Sequence, residues 1–73
     1  MTQQYRNLSR NLKILMEIYE LDDSALSAQA DIQIYDIKRI LAGEIDSISF
    51  RRIYKFSKVF SMPLNLFIDF ISI

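Results

Sequence analysis

Cysteine and histidine are both absent from this chain of 73 residues. Their absence excludes disulfides, thiolate or imidazole metal ligands, and catalysis by Cys or His. Glycine and proline occur once each. That leaves little material for β-turns or phosphate-cradling glycine loops, so hairpins and P-loops are not expected. No run of uncharged apolar residues approaches the ~20 needed to span a bilayer. The opening MTQQYRNLSR lacks the apolar core of a signal peptide. A cytoplasmic chain with no membrane partner is therefore expected. Nor is an enzyme expected, because the carboxylates scatter over caps and loops and no nucleophile has a base other than carboxylate or Lys. No cofactor is implied.

What is present points to helices around a core. A hydrophobic fraction of 51% with 25% charged residues lies outside the disordered class. The length gives room for one domain, and a domain this small buries only roughly 60% of its unfolded surface. Net charge is zero but unevenly spread: +1 over residues 1–21, −4 over 22–46 and +3 over 47–73.

Tyr5, Leu8, Leu12, Leu15 and Tyr19 follow steps of three and four, predicting an amphipathic helix over about 5–19 with Thr2 as its N-cap. Ile14 and Ile18 lie off that stripe and either widen the buried face or form a second apolar strip. LDDSALSAQA predicts a short second helix capped by Asp22, with Asp23 where the helix dipole favours an anion and Leu26 and Ala30 facing inward. Asp31 opens a tight turn, and Asp tolerates the left-handed conformation. A third helix follows over roughly 34–41, with Ile37, Ile40 and Leu41 on its buried side and Gly43 beyond it at positive φ. Ser49 caps a fourth helix, whose Phe50, Ile53, Phe56, Val59 and Phe60 recur at helical spacing. Pro63 opens a fifth at about 63–71. The expected fold is all-α: five helices in one bundle, with no strand.

Two short helices joined by a three-residue turn form a helix-turn-helix unit, here SALSAQA-DIQ-IYDIKRILAG, spanning about 23–42. With the flanking NLKILMEIYEL and SFRRIYKFSKVFSMPLNLF, the chain resembles the Xre-type family of Cro-like and phage-repressor-like regulators over about residues 8–70. Leu12, Leu15, Leu21, Leu26, Ala30, Ile32, Ile37, Ile40, Gly43, Phe50, Ile53, Val59, Phe60 and Leu64 carry the resemblance. It implies a lambda-repressor-like five-helix domain, usually dimeric, that sets its third helix in the DNA major groove. Carried over by position, Gln33, Ile34, Tyr35, Asp36 and Arg39 would read bases. Asp22, Asp23, Glu44, Asp46, Ser47 and Ser49 would stand at the phosphates, with Lys38, Arg51 and Arg52 as the basic residues placed to assist.

Two departures from the family pattern stand out. Asp22-Asp23 and Glu44-Ile45-Asp46 put carboxylates where binding normally relies on Lys and Arg releasing counterions. Met16 and Leu41 occupy the positions of an Arg–Glu pair common in relatives, and a matched apolar exchange of this kind can be neutral or stabilising.

The same residues also support blander readings. Ile34 and Tyr35 meet thymine methyls and backbone, form with Ile45 an apolar patch for a protein partner, or partly fold inward. Arg51, Arg52, Lys55 and Lys58 are either a phosphate strip or the solvated face of helix 4. Leu66, Phe67, Phe70 and Ile71 crowd the final helix, with Ile68 and Ile73 beside them. They form either a homodimer interface or a lid over Ile14 and Ile18. The expected function is a DNA-binding regulator with weak affinity for double-stranded DNA. The alternative is a helix-turn-helix module reused for protein–protein interaction.

Overall fold

A computed structural model describes residues 2–5, 7–45 and 47–72. In chain order it contains β1 (Thr2–Gln4), α1 (Leu8–Ile18), α2 (Asp23–Ala30), α3 (Ile34–Leu41), β2 (Ser47–Ser49), α4 (Phe50–Val59) and α5 (Leu64–Ile71). The molecule is mostly helical. Its radius of gyration of 10.7 Å is close to the roughly 11 Å expected for a packed chain of this length.

Caps and helix ends explain the boundaries. Asp22 is extended and its Oδ1 accepts from the Ala25 N–H at 2.7 Å, while the Ser49 hydroxyl accepts from the Arg52 N–H at 3.3 Å. Four helices end on a residue in the left-handed region: Glu20, Asp31, Gly43 and Ser61. In each case the next residue donates its N–H five residues back, from Leu21 to Met16, Ile32 to Ser27, Glu44 to Arg39 and Met62 to Ser57. This closes the last turn and satisfies carbonyls that otherwise lack donors. Only one of the four positions carries glycine, so the other three bear a Cβ penalty.

α1 is shorter than its periodicity suggests. It begins at Leu8, with Asn7 before it, and Thr2 is not its cap. Instead Thr2–Gln4 pairs antiparallel with Ser47–Ser49, in the register Thr2↔Ser49, Gln3↔Ile48 and Gln4↔Ser47. The expectation of no strand is thus corrected. Along β2, Ile48 is buried between an exposed and a half-buried serine, the alternation of a strand with one face on the core. Tyr5, just past β1, is also buried. Pro63 stands just before α5 rather than within it.

The core is a single cluster joining all five helices to Tyr5, Ile32 and Ile48. At its centre Phe67 stacks on Phe60 at 6.3 Å and lies 6.5 Å from Phe56, while Tyr19 meets the Phe60 ring edge-on at 5.2 Å. The Tyr19 hydroxyl donates to the Phe60 carbonyl at 2.7 Å. Each fully buried ring of this size contributes roughly 1.5–3 kcal/mol relative to exposure.

Two candidates for the dimer interface are thereby removed. Phe67 and Ile71 are 0% exposed within the chain's own core, because they lie one helical turn apart on the inward face of α5. Phe70 is half-buried against the core, and Leu66 remains 53% exposed. The lid is also excluded among the described residues, since Ile14 and Ile18 stay 41% and 67% exposed. Ile73 lies outside the described residues. Met16 is buried and Leu41 is half-buried on the same core, and the Ser9 hydroxyl donates to the Leu41 carbonyl at 2.6 Å, pinning α1 to α3.

Candidate nucleic-acid interface

The segment from α2 to α3 is built around Ser27. Its carbonyl receives the N–H groups of Asp31 and Ile32, and its hydroxyl donates to the Ile32 carbonyl. Ile32 is buried beneath the turn. With Asp31 left-handed, the chain reverses in three residues, and α3 starts after Gln33. α3 then packs inward through Ile37 and Ile40 and turns Gln33, Ile34, Tyr35, Lys38 and Ala42 outward.

On that outer surface Tyr35 is 66% exposed, and the half-buried Arg39 sets its guanidinium 5.6 Å from the Tyr35 ring centre. This i, i+4 stacking holds both side chains over one turn of helix. Asp36 points the other way. Its Oδ2 accepts from Arg52 Nη2 at 2.9 Å, an ion pair that ties the first turn of α3 to the first turn of α4. Asp36 and Arg52 are therefore engaged with one another, not with the open face.

The remaining basic candidates divide. Arg51 is exposed at the start of α4 and makes no ion pair among the described residues. Lys55 donates to the Asp31 carbonyl at 3.1 Å, where a cation suits the C-terminal end of α2. Lys58 lies 5.2 Å from the Tyr54 ring centre. The four cations of α4 thus form no continuous strip. Ser47 is exposed on β2, whereas the Ser49 hydroxyl serves as a cap. Ile45 is half-buried on the core, whereas Ile34 and Tyr35 are exposed. Asp46 lies outside the described residues.

The described charges at the candidate positions cancel. Lys38, Arg39 and Arg51 stand against Asp22, Asp23 and Glu44, with Asp36 and Arg52 neutralising each other. Among the described residues no group of three or more acidic side chains converges as a metal ion would require.

Two residues here escaped the sequence reading. Phe50, expected in the core, is 42% exposed, and Tyr54 one turn later is half open to solvent. Both lie on the outer face of α4 with Arg51 and Lys58. The signal was available: aromatics at i and i+4 with cations interleaved, on a helix whose core positions are already filled by Ile53, Phe56 and Ser57.

No protein-family model matches the chain, and no curated protein matches its sequence.

Proposed function

We propose that this chain is a DNA-binding transcriptional regulator of the Xre/Cro-like type, with a helix-turn-helix formed by α2 and α3 and with unusually weak attraction for the phosphate backbone. The observation that carries the reading is the short α2–turn–α3 connection, with the first two turns of α3 presenting Gln33, Ile34, Tyr35, Lys38 and Arg39 outward. In such a geometry the start of the second helix meets base edges, and the neighbouring helix start meets the backbone. Arg51 is the residue at that neighbouring start free to meet phosphate. Work on DNA would put the chain in the cytoplasm.

A salt-dependent titration of labelled duplex pools by fluorescence anisotropy tests the proposal. Three free cations neutralise about three phosphates at most, so the log–log salt slope should be no steeper than roughly −2.7. Arg39→Ala should relax base preference, while Arg51→Ala should weaken all sequences alike. Absence of binding to any duplex pool at low salt would sink the reading.

One observation favours a second reading. Ile34 and Tyr35 are exposed apolar side chains amid balanced charge, a surface better suited to a protein than to phosphate. A chain that binds no DNA would then be a helix-turn-helix module that engages another regulator through Ile34 and Tyr35.

A further inference from the structure

At the end of α4 opposite Arg51, the chain leaves an open groove of about 500 Å³. That volume lies within the range of about 300–1,000 Å³ common to small-molecule sites. Tyr54 and Lys58 line it from α4, Ser61, Met62 and Pro63 from the connection, and Leu64 from the start of α5. No residue of α2 or α3 contributes to it. The local sequence accounts for the bend that shapes it. Ser61 is left-handed after the end of α4, and Pro63 has no N–H and stands just before α5. Ser57, beneath them, donates its hydroxyl to the Tyr54 carbonyl at 2.7 Å and so offers the groove little polarity.

The groups that remain polar are few and of one sign. Among the described residues Lys58 is the one charged side chain in the groove, and it lies 5.2 Å from the Tyr54 ring centre. That stacking holds the ammonium against the α4 wall. Lys58 makes no ion pair among the described residues, and α5 opens with no acidic residue in its first turn to claim it. Ser61, three residues on, adds an exposed hydroxyl. The carbonyls of Ser57 and Lys58 already accept from the N–H groups of Met62 and Ser61. A cation and a hydroxyl beside the apolar Met62, Pro63 and Leu64 match an anionic head on an apolar body. The Met62 thioether suits an aromatic ring in particular, and a lone cation suits a monoanion better than a phosphate dianion. Size favours a small molecule over a protein. The lining comes from the single short stretch 54–64, whereas a stable protein interface uses about 20–30 residues a side.

We propose that the groove between α4 and α5 binds a small aromatic carboxylate. Its carboxylate meets Lys58 and Ser61, and its ring packs on Met62, Pro63 and Leu64. This site does not rest on the DNA reading.

Titration of the isotope-labelled chain with hydrocinnamate, its neutral amide and phenylpropylamine, followed by amide NMR, tests the proposal. The three probes carry the same ring and differ in the charge of the head. Hydrocinnamate should give saturable shifts confined to Tyr54, Ser57, Lys58, Ser61, Met62 and Leu64, with a dissociation constant of about 1 mM or below. The amide and the amine should bind about tenfold more weakly, because neither gives Lys58 an anion. Acetate, a head without a ring, should not saturate. Lys58→Gln should weaken hydrocinnamate about tenfold, and Lys58→Arg should keep most of the affinity. Both variants should leave the helical circular dichroism unchanged, since Lys58 is exposed. Hydrocinnamate that gives no saturable shift up to about 10 mM overturns the proposal. So does an amide that binds as tightly, or a Lys58→Gln variant that binds like wild type. Shifts centred on Ile34 and Tyr35 overturn it as well, because they put the ring on α3. Each of these results leaves the DNA reading standing.

Discussion

Replacing Asn11 with alanine tests how α5 is held against α1. Asn11 is only 3% exposed, and its amide donates to the Phe70 carbonyl at 3.0 Å while its Oδ1 accepts from Arg10 Nε at 3.2 Å. Phe70 lies in the last turn of α5, where carbonyls lack intrahelical donors. Alanine removes the donor and leaves a half-buried carbonyl without this partner, a loss of about 1–3 kcal/mol. A domain of this length has only about 4–11 kcal/mol in total, so the effect is large. In urea, with a slope near 1 kcal/mol per molar, the unfolding midpoint followed by circular dichroism should fall by about 1–3 M. Asn11→Asp should be worse than alanine, because a carboxylate cannot donate and lies at the negative end of the α5 dipole. The reasoning is refuted if Asn11→Ala unfolds within about 0.5 M of wild type, or if Asn11→Asp is the milder change.

Two other changes follow from the backbone and the charges. Ser61 is left-handed at φ 50° and exposed, so Ser61→Gly should raise stability by about 0.5–1 kcal/mol, read as an upward midpoint shift. The Asp36–Arg52 pair is partly open to solvent, with side-chain exposures of 24% and 36%. A double-mutant cycle with alanine at both positions should therefore return a coupling below about 1 kcal/mol, weakening as salt is added.

The helices were legible where local chemistry decides them. Asp22 and Ser49 announce α2 and α4, because a short acceptor side chain before an apolar stripe has one favourable place to go. Gly43 announces the end of α3. The equivalent ends at Glu20 and Ser61 were illegible, because those residues adopt the left-handed region only under tertiary pressure. The ribbon escaped for a different reason. TQQ carries no alternation, and its partner lies more than forty residues away, so no local window holds both strands. On the candidate face, the open Tyr35 and Arg51 could be anticipated from helical position. The capture of Asp36 by Arg52, and of Lys55 by the Asp31 carbonyl, depends on how α4 crosses the two shorter helices. Sequence spacing does not encode that crossing.

The three-pair ribbon also bears on the order of folding. Every helix forms from neighbours in the chain, but joining Gln3 to Ile48 closes a loop of about 45 residues, an entropic cost repaid only by contacts made afterwards. Two short strands cannot sustain themselves in water. Their pairing must wait for the helices to bury Tyr5 and Ile48, and it must dissolve early when the molecule breathes. Amide exchange should accordingly be faster along β1 and β2 than at Ile37 or Ile53, although the Ile48 side chain is buried like those two. The connection leading to Arg51 would then open and close while the core stays intact. A ligand meeting the start of α4 would slow that exchange without tightening the rest of the fold.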